Sequence, residues 1–275
     1  MTMLWKRVAT AAVLLPFLVA SILCSKGRPF EWPFLIVCGL AAALCAGELL
    51  RMFVRGARDL AGGVALAVLV FLSGTLLPAV LSLPAVLLFV VLAVFHPLPG
   101  ADDVGEKTRR AAMLTLGAVY AGGLLAMYPR TLSLPRGDHW VMLGILSVSA
   151  GDTMAYFTGR ALGRRKLAPA LSPNKTVEGA LGGLLGSVAC GVLYARFFLP
   201  GIPAWYAAFA GGAIGIFGQG GDLFESLLKR AAGVKDSGTI FPGHGGIFDR
   251  ADGIVAAGPI LFLLAAAATL VGAWG

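Results

Sequence analysis

The sequence predicts an all-α polytopic membrane protein, and three observations carry that expectation. Of its 275 residues, 58% are hydrophobic and 13% charged, with a mean hydropathy of +0.85. A water-soluble domain of this size cannot cover itself with so little polar surface. Apolar runs of about 17–25 residues recur along the chain, each long enough to cross roughly 30 Å of hydrocarbon as helix. The Lys and Arg residues fall between those runs, and mostly between alternate ones.

In chain order, about nine transmembrane helices are expected, near residues 8–24, 33–50, 60–77, 80–95, 111–128, 139–158, 177–198, 203–221 and 253–273. Lys6-Arg7 ahead of the first run looks like the start of a secretory signal. No small-x-small cleavage site follows near Cys24, so the segment is expected to stay as a span. Runs three and four, joined only through the Pro78–Pro84 region, also suit a re-entrant pair. A cytoplasmic N-terminus places 17 of the 22 Lys and Arg residues on the inside, which favours that orientation. The net charge of +8 is then mainly a property of the cytoplasmic face, attracted to anionic headgroups rather than to nucleic acid. Cys24, Cys38, Cys45 and Cys190 lie in or beside apolar runs without CxxC spacing and read as small apolar fillers.

The first half, residues 1–138, reads as scaffold. Glu48 and the Arg51–Asp59 stretch look like an interfacial anchor, residues 96–110 like a solvated connection, and His96 like a boundary residue. The chemistry is expected in residues 139–275. Asp152 stands inside an apolar span, where an acid is a site candidate by default and a buried ion pair with a nearby base is the structural alternative. In Leu171-Ser172-Pro173-Asn174-Lys175-Thr176-Val177-Glu178-Gly179, Ser172 is expected to cap the next helix with Pro173 in its first position. A helix start beside Lys175 also suits an anion. Glycines 179, 182, 183 and 186, with 211 and 215 later, give the small faces that let helices approach closely in lipid.

The densest chemistry lies between Gly218 and Asp252. If the preceding run continues as helix, Asp222, Glu225, Ser226 and Lys229 share one face. The segment from Gly233 to Gly246 holds too many glycines, with Pro242, for regular helix. Asp249 and Asp252 follow one turn apart at the start of the final run. Asp222 and Asp249, two carboxylates flanking a basic glycine-rich loop, suit a shared divalent cation. Lys229, Arg230, Lys235 and Arg250 have the charge to neutralise a polyphosphate, and the Gly245-Gly246 amides suit a phosphate cradle. His244 suits a phosphate contact, a general acid or a structural cap. Gly233 and Gly238 imitate half a P-loop, but Thr239-Ile240 follows where Lys-Ser/Thr is required.

Ser226-x-Leu228-Lys229-Arg230, Lys235-Asp236-x-Gly238 and Phe241-Pro242-x-His244-Gly245-Gly246-Ile247-x-Asp249-Arg250-x-Asp252 together resemble the signature of the phosphatidate cytidylyltransferases. The run Gly151-Asp152-x-x-Ala155-Tyr156-x-x-Gly159-Arg160 and the Ser172–Gly179 stretch resemble further segments of the same family. Asn174 stands where a Lys is common, and Ala251 where a bulkier residue or Thr is usual. The resemblance implies transfer of a cytidylyl group from CTP to phosphatidic acid in a bacterial inner membrane, with the site facing the cytoplasm. It implies Mg²⁺ on Asp222 and Asp249, with room for a second cation, and a homodimer. Asp222, Asp249, Lys229, Lys235 and His244 become the expected catalytic set. Asp152, Ser172, Lys175, Thr176, Glu178, Ser226, Arg230, Asp236, Gly245, Gly246, Arg250 and Asp252 become the expected substrate-binding set. Two rivals are a CTP-dependent lipid kinase, which releases CDP, and a secondary transporter, whose intramembrane acids belong mid-span.

Overall fold

The computed structural model describes residues 16, 18–25, 32–98, 103–238 and 245–270. Helix α1 (residues 18–25) is followed by α2 (Trp32–Phe53), α3 (Ala57–Leu76) and α4 (Ala79–Phe95). Helix α5 (Val104–Gly117) runs on through a π-helical turn, Ala118–Gly123, and the short α6 (Met127–Leu132) follows. Then come α7 (Gly137–Leu162), strands β1 (Lys166–Ala168) and β2 (Ser172–Thr176), α8 (Val177–Phe198), α9 (Ala204–Ala231) and α10 (Phe248–Leu270). Two strands make the chain not strictly all-α: β1 and β2 pair antiparallel, Lys166 opposite Thr176, between α7 and α8.

Among the described residues six helical segments are long and apolar enough to cross a membrane: Trp32–Phe53, Ala57–Leu76, Val104–Leu132, Gly137–Leu162, Val177–Phe198 and Phe248–Leu270. Of the other expected spans, the first lies largely outside the described residues. The 17-residue Ala79–Phe95 is apolar but short. In α9, Gln219 and the glycines dilute the apolar half, and Asp222, Glu225, Lys229 and Arg230 occupy the last three turns. The expected loop at 96–110 is partly helix. Asp103 caps α5 by accepting from Gly105 N at 2.9 Å, and Glu106 holds Arg109 and Arg110 on the first turns.

The chain divides into two compact units, Met1–Pro129 with Ala232–Ala251, and Arg130–Ala231 with Asp252–Gly275. The first unit packs α2 and α3 around buried Phe34, Cys45, Leu49, Leu50, Val70 and Phe71. His96 is more than a boundary residue there, since its Nδ1 lies 3.4 Å from Asp59, which also holds Arg110 at 3.2 Å. The four cysteines form no disulfide, and Cys38 and Cys45 are buried, as fillers would be.

The second unit shows the inside-out pattern of lipid-embedded helices. On α8, Leu181, Leu185, Leu193 and Phe197 point outward, while Gly182, Gly183, Gly186, Ser187 and Gly191 are buried. That distribution is expected where the solvent is hydrocarbon and small residues let backbones touch. A side chain at Gly183 would meet Ala155 and the Gly151 carbonyl on α7, and one at Gly211 the Ser187 carbonyl. Ser187 Oγ donates to Ser147 O at 2.8 Å, fixing α8 on α7. The small-residue faces legible in the sequence are therefore the seams of this unit.

Candidate active site

In the second unit, α9 continues past its apolar half as one helix, so Asp222 and Glu225, three residues apart, lie on one face. Gly221 sets their partner. A Cβ at this position would meet the Asp252 carbonyl oxygen and Ala256, so α9 and α10 approach backbone to backbone. That approach brings carboxylate oxygens of Asp222, Glu225 and Asp252 within 4.8 Å of one another. Glu225 is 2% exposed and is held by Lys229 one turn on, Nζ to Oε1 at 3.2 Å. Asp152 on α7 lies within electrostatic reach of Asp222 and Asp252. Carboxylates this close repel unless a proton or a cation lies between them.

Besides Lys229 on Glu225, a second cation meets the cluster: Lys175, whose Nζ stands 2.5 Å from Asp222 Oδ2 with both side chains partly exposed. The hairpin delivers it. Here the expected cap fails: Ser172 and Pro173 are in β2, and Thr176 caps α8, its Oγ1 accepting from Gly179 N at 3.1 Å. Proline is confined to strand edges, where its missing N–H is not required. A β-branched Thr in extended conformation is a natural N-cap, so the helix begins four residues later than Pro173 suggests. Glu178 fastens the hairpin, accepting from the backbone amides of Arg164 and Arg165 at 3.0–3.3 Å. Arg230 reaches the turn, Nε to Leu171 O at 3.3 Å, while Ser226 is half-buried on α9.

In the first unit, Asp249 opens α10 and its Oδ2 accepts from Ser237 N at 2.9 Å, Ser237 Oγ at 2.8 Å and Gly246 N at 2.7 Å. Gly245 has φ +76°, a left-handed conformation that suits glycine, and a side chain there would collide with the Asp249 carboxylate. Lys235, Asp236 and Arg250 are exposed. His244 lies outside the described residues.

The structure thus brings Asp222, Asp252 and Lys175 together in one unit, with Asp152 in reach, and describes Asp249 with its own neighbours in the other. Sequence reasoning missed three residues. Glu225 shared the face of Asp222, and its three-residue spacing was the available signal. Glu48, read as an anchor, is 2% exposed on α2 and accepts from Ile247 N, Phe248 N and Ser237 Oγ. An acid inside an apolar run was the signal that selected Asp152, and it applied equally to Glu48. Ser237 carried no signal of its own.

Six of the described helical segments are long and apolar enough to cross a membrane, and acids and lysines gather at helix ends and at a hairpin. The chain belongs to the cytidylyltransferase family, whose profile matches residues 5–268. Curated relatives named phosphatidate cytidylyltransferase include one from Brucella abortus, 40% identical over 183 residues, 57% of this chain and 67% of that protein. One from Bacillus subtilis is 39% identical over 166 residues, 60% of this chain and 59% of its own length. One from Staphylococcus saprophyticus is 41% identical over 155 residues, 56% and 58% of the two chains.

Proposed function

We propose that this chain transfers the cytidylyl group of CTP to phosphatidic acid, giving CDP-diacylglycerol and pyrophosphate for phospholipid synthesis. The observation that carries the reading is the Asp222–Glu225–Asp252 cluster with Lys175 at its edge, in a family of cytidylyltransferases.

A phosphate monoester is already a competent nucleophile, so positioning and charge stabilisation outweigh any general base. An oxygen of the phosphatidate phosphate attacks the α-phosphorus of CTP. The bond from that phosphorus to the α,β-bridging oxygen breaks, and pyrophosphate leaves with the electron pair. In the second unit Lys175, Lys229 and Arg230 supply positive charge for substrate phosphates, and the family resemblance assigns Lys235 and Arg250 to the same task. Lys175 and Lys229 are paired with acids at 2.5 and 3.2 Å, so each is pre-oriented and can turn to a phosphate oxygen. Thr176, Glu178 and Ser172 serve by shaping the hairpin that presents Lys175.

The donor set fits a hard divalent cation: three carboxylates within 4.8 Å, one of them buried, offer only oxygen ligands. Asp222, Glu225 and Asp252 would hold Mg²⁺, which when bound supplies charge neutralisation of the triphosphate. Asp249, expected to hold Mg²⁺ with Asp222, keeps that role in the proposal on the strength of the family resemblance. The basic asymmetry supports a site facing the cytoplasm of a bacterial inner membrane, where CTP is available.

The test is to incubate purified protein with labelled CTP, phosphatidic acid and Mg²⁺. A lipid-soluble cytidine product with pyrophosphate is expected; release of CDP identifies a kinase instead and refutes the reading.

A further inference from the structure

We infer that Glu48, on a helix remote in sequence from the family signature, is a positioning residue that sets the end of the signature loop and, through Ser237, the carboxylate of Asp249. The inference rests on the proposed nucleotidyl transfer, to which Asp249 belongs.

The geometry is closed on every side. Glu48 leaves α2 buried, in the penultimate turn of an apolar helix. Its Oε1 accepts from Ile247 N at 3.1 Å and its Oε2 from Phe248 N at 2.8 Å, so it caps α10 with a carboxylate supplied by another helix. A negative group at a helix N-terminus satisfies free amides and complements the dipole. Ser237 Oγ stands 3.1 Å from Glu48 Oε2 and 2.8 Å from Asp249 Oδ2, so one hydroxyl hydrogen serves two acids. A side chain added at Gly238 or Gly246 would strike the Glu48 carboxylate, so the loop is pressed against it at both ends. Phe248, fully buried, meets Tyr120 edge to face at 5.9 Å and locks the capped turn in place.

An acid at an interfacial anchor position needs no such partners. Here each oxygen of Glu48 receives a backbone N–H, and among the described residues its hydrogen bonds run to Ser237, Ile247 and Phe248, in the segment that bears Asp249. Glutamine keeps the size but turns one oxygen into a donor facing an N–H, so Glu48→Gln breaks the cap without opening a cavity.

The experiment compares wild type, Glu48→Gln, Ser237→Ala and the double variant in detergent, reading turnover, thermal stability and amide hydrogen exchange in peptides covering residues 245–252. Expected is a loss in kcat/KM for CTP on the order of 10- to 100-fold in Glu48→Gln, with the KM for phosphatidic acid unchanged and faster exchange at Ile247 and Phe248. Ser237→Ala is expected to lose less, and the double variant to lose less than the product of the singles, because both act on one carboxylate. A melting temperature lowered with kcat per folded molecule intact makes Glu48 a structural cap only and overturns the inference. Wild-type rates and exchange in Glu48→Gln overturn it too. If Glu48→Gln does not fold, Ser237→Ala decides: unchanged rate and unchanged exchange at residues 245–249 refute the link. A wild-type protein without transferase activity refutes the proposed reaction instead, and the exchange arm still decides whether Glu48 sets the loop.

Discussion

The two units each gather acids, and they satisfy them in opposite ways. In the first, Glu48 and Asp249 accept hydrogen bonds from fixed backbone amides of Ser237, Gly246, Ile247 and Phe248. In the second, Asp222 and Glu225 are met by lysine side chains, and Asp252 stands beside them. A backbone amide cannot leave its acceptor without unfolding the segment, whereas an ammonium on a flexible stem exchanges readily for a cation or a phosphate. Identical residue types are therefore held by fixed backbone amides in one place and by movable side chains in the other.

That contrast is broken most sharply by neutralising the exchangeable acids. Asp222→Asn and Asp252→Asn are each expected to lower turnover on the order of 100- to 1000-fold while the protein stays folded in detergent. Near-normal turnover in either variant removes that residue from the site. Asp249→Asn is expected to be comparably inactive but for a different cause, with faster amide exchange at Ser237 and Gly246 that Asp222→Asn does not show.

Lys175→Ala is expected to come next, raising the KM for CTP about 10-fold or more, because it removes a phosphate partner and leaves Asp222 unpaired. Steady-state kinetics at varied CTP check this. Gly221→Ala tests the backbone approach that assembles the cluster. The new methyl meets the Asp252 carbonyl, and about 1–3 kcal/mol of stability is expected to be lost, read as a lowered melting temperature with reduced activity. Arg230→Ala, which removes one exposed contact to the hairpin turn, is expected to cost the least stability, about 1 kcal/mol or below, while raising the KM for CTP as one of the phosphate-holding charges.

Much of this was legible in the sequence because hydrocarbon imposes simple rules. Span lengths, the small faces of α8 and the helical continuation from the apolar run into Asp222 and Glu225 all follow from periodicity. What escaped depended on contacts distant along the chain. Ser172-Pro173 carries every local sign of a helix start, yet strand pairing with Lys166–Ala168 claims those residues and moves the cap to Thr176. Asp252 joins Asp222 through a glycine contact between two helices, and no spacing rule links them. Glu48 lies some 190 residues from Ser237, so its role appears only when the chain is folded.

The exchangeable character of the second-unit cluster is tested most directly by Mn²⁺ binding, followed by electron paramagnetic resonance on purified protein with CTP present. Wild type is expected to bind Mn²⁺ at a protein site, and Asp222→Asn and Asp252→Asn to lose that binding while remaining folded. Undiminished Mn²⁺ binding in both variants would contradict the assignment of the cation to Asp222, Glu225 and Asp252.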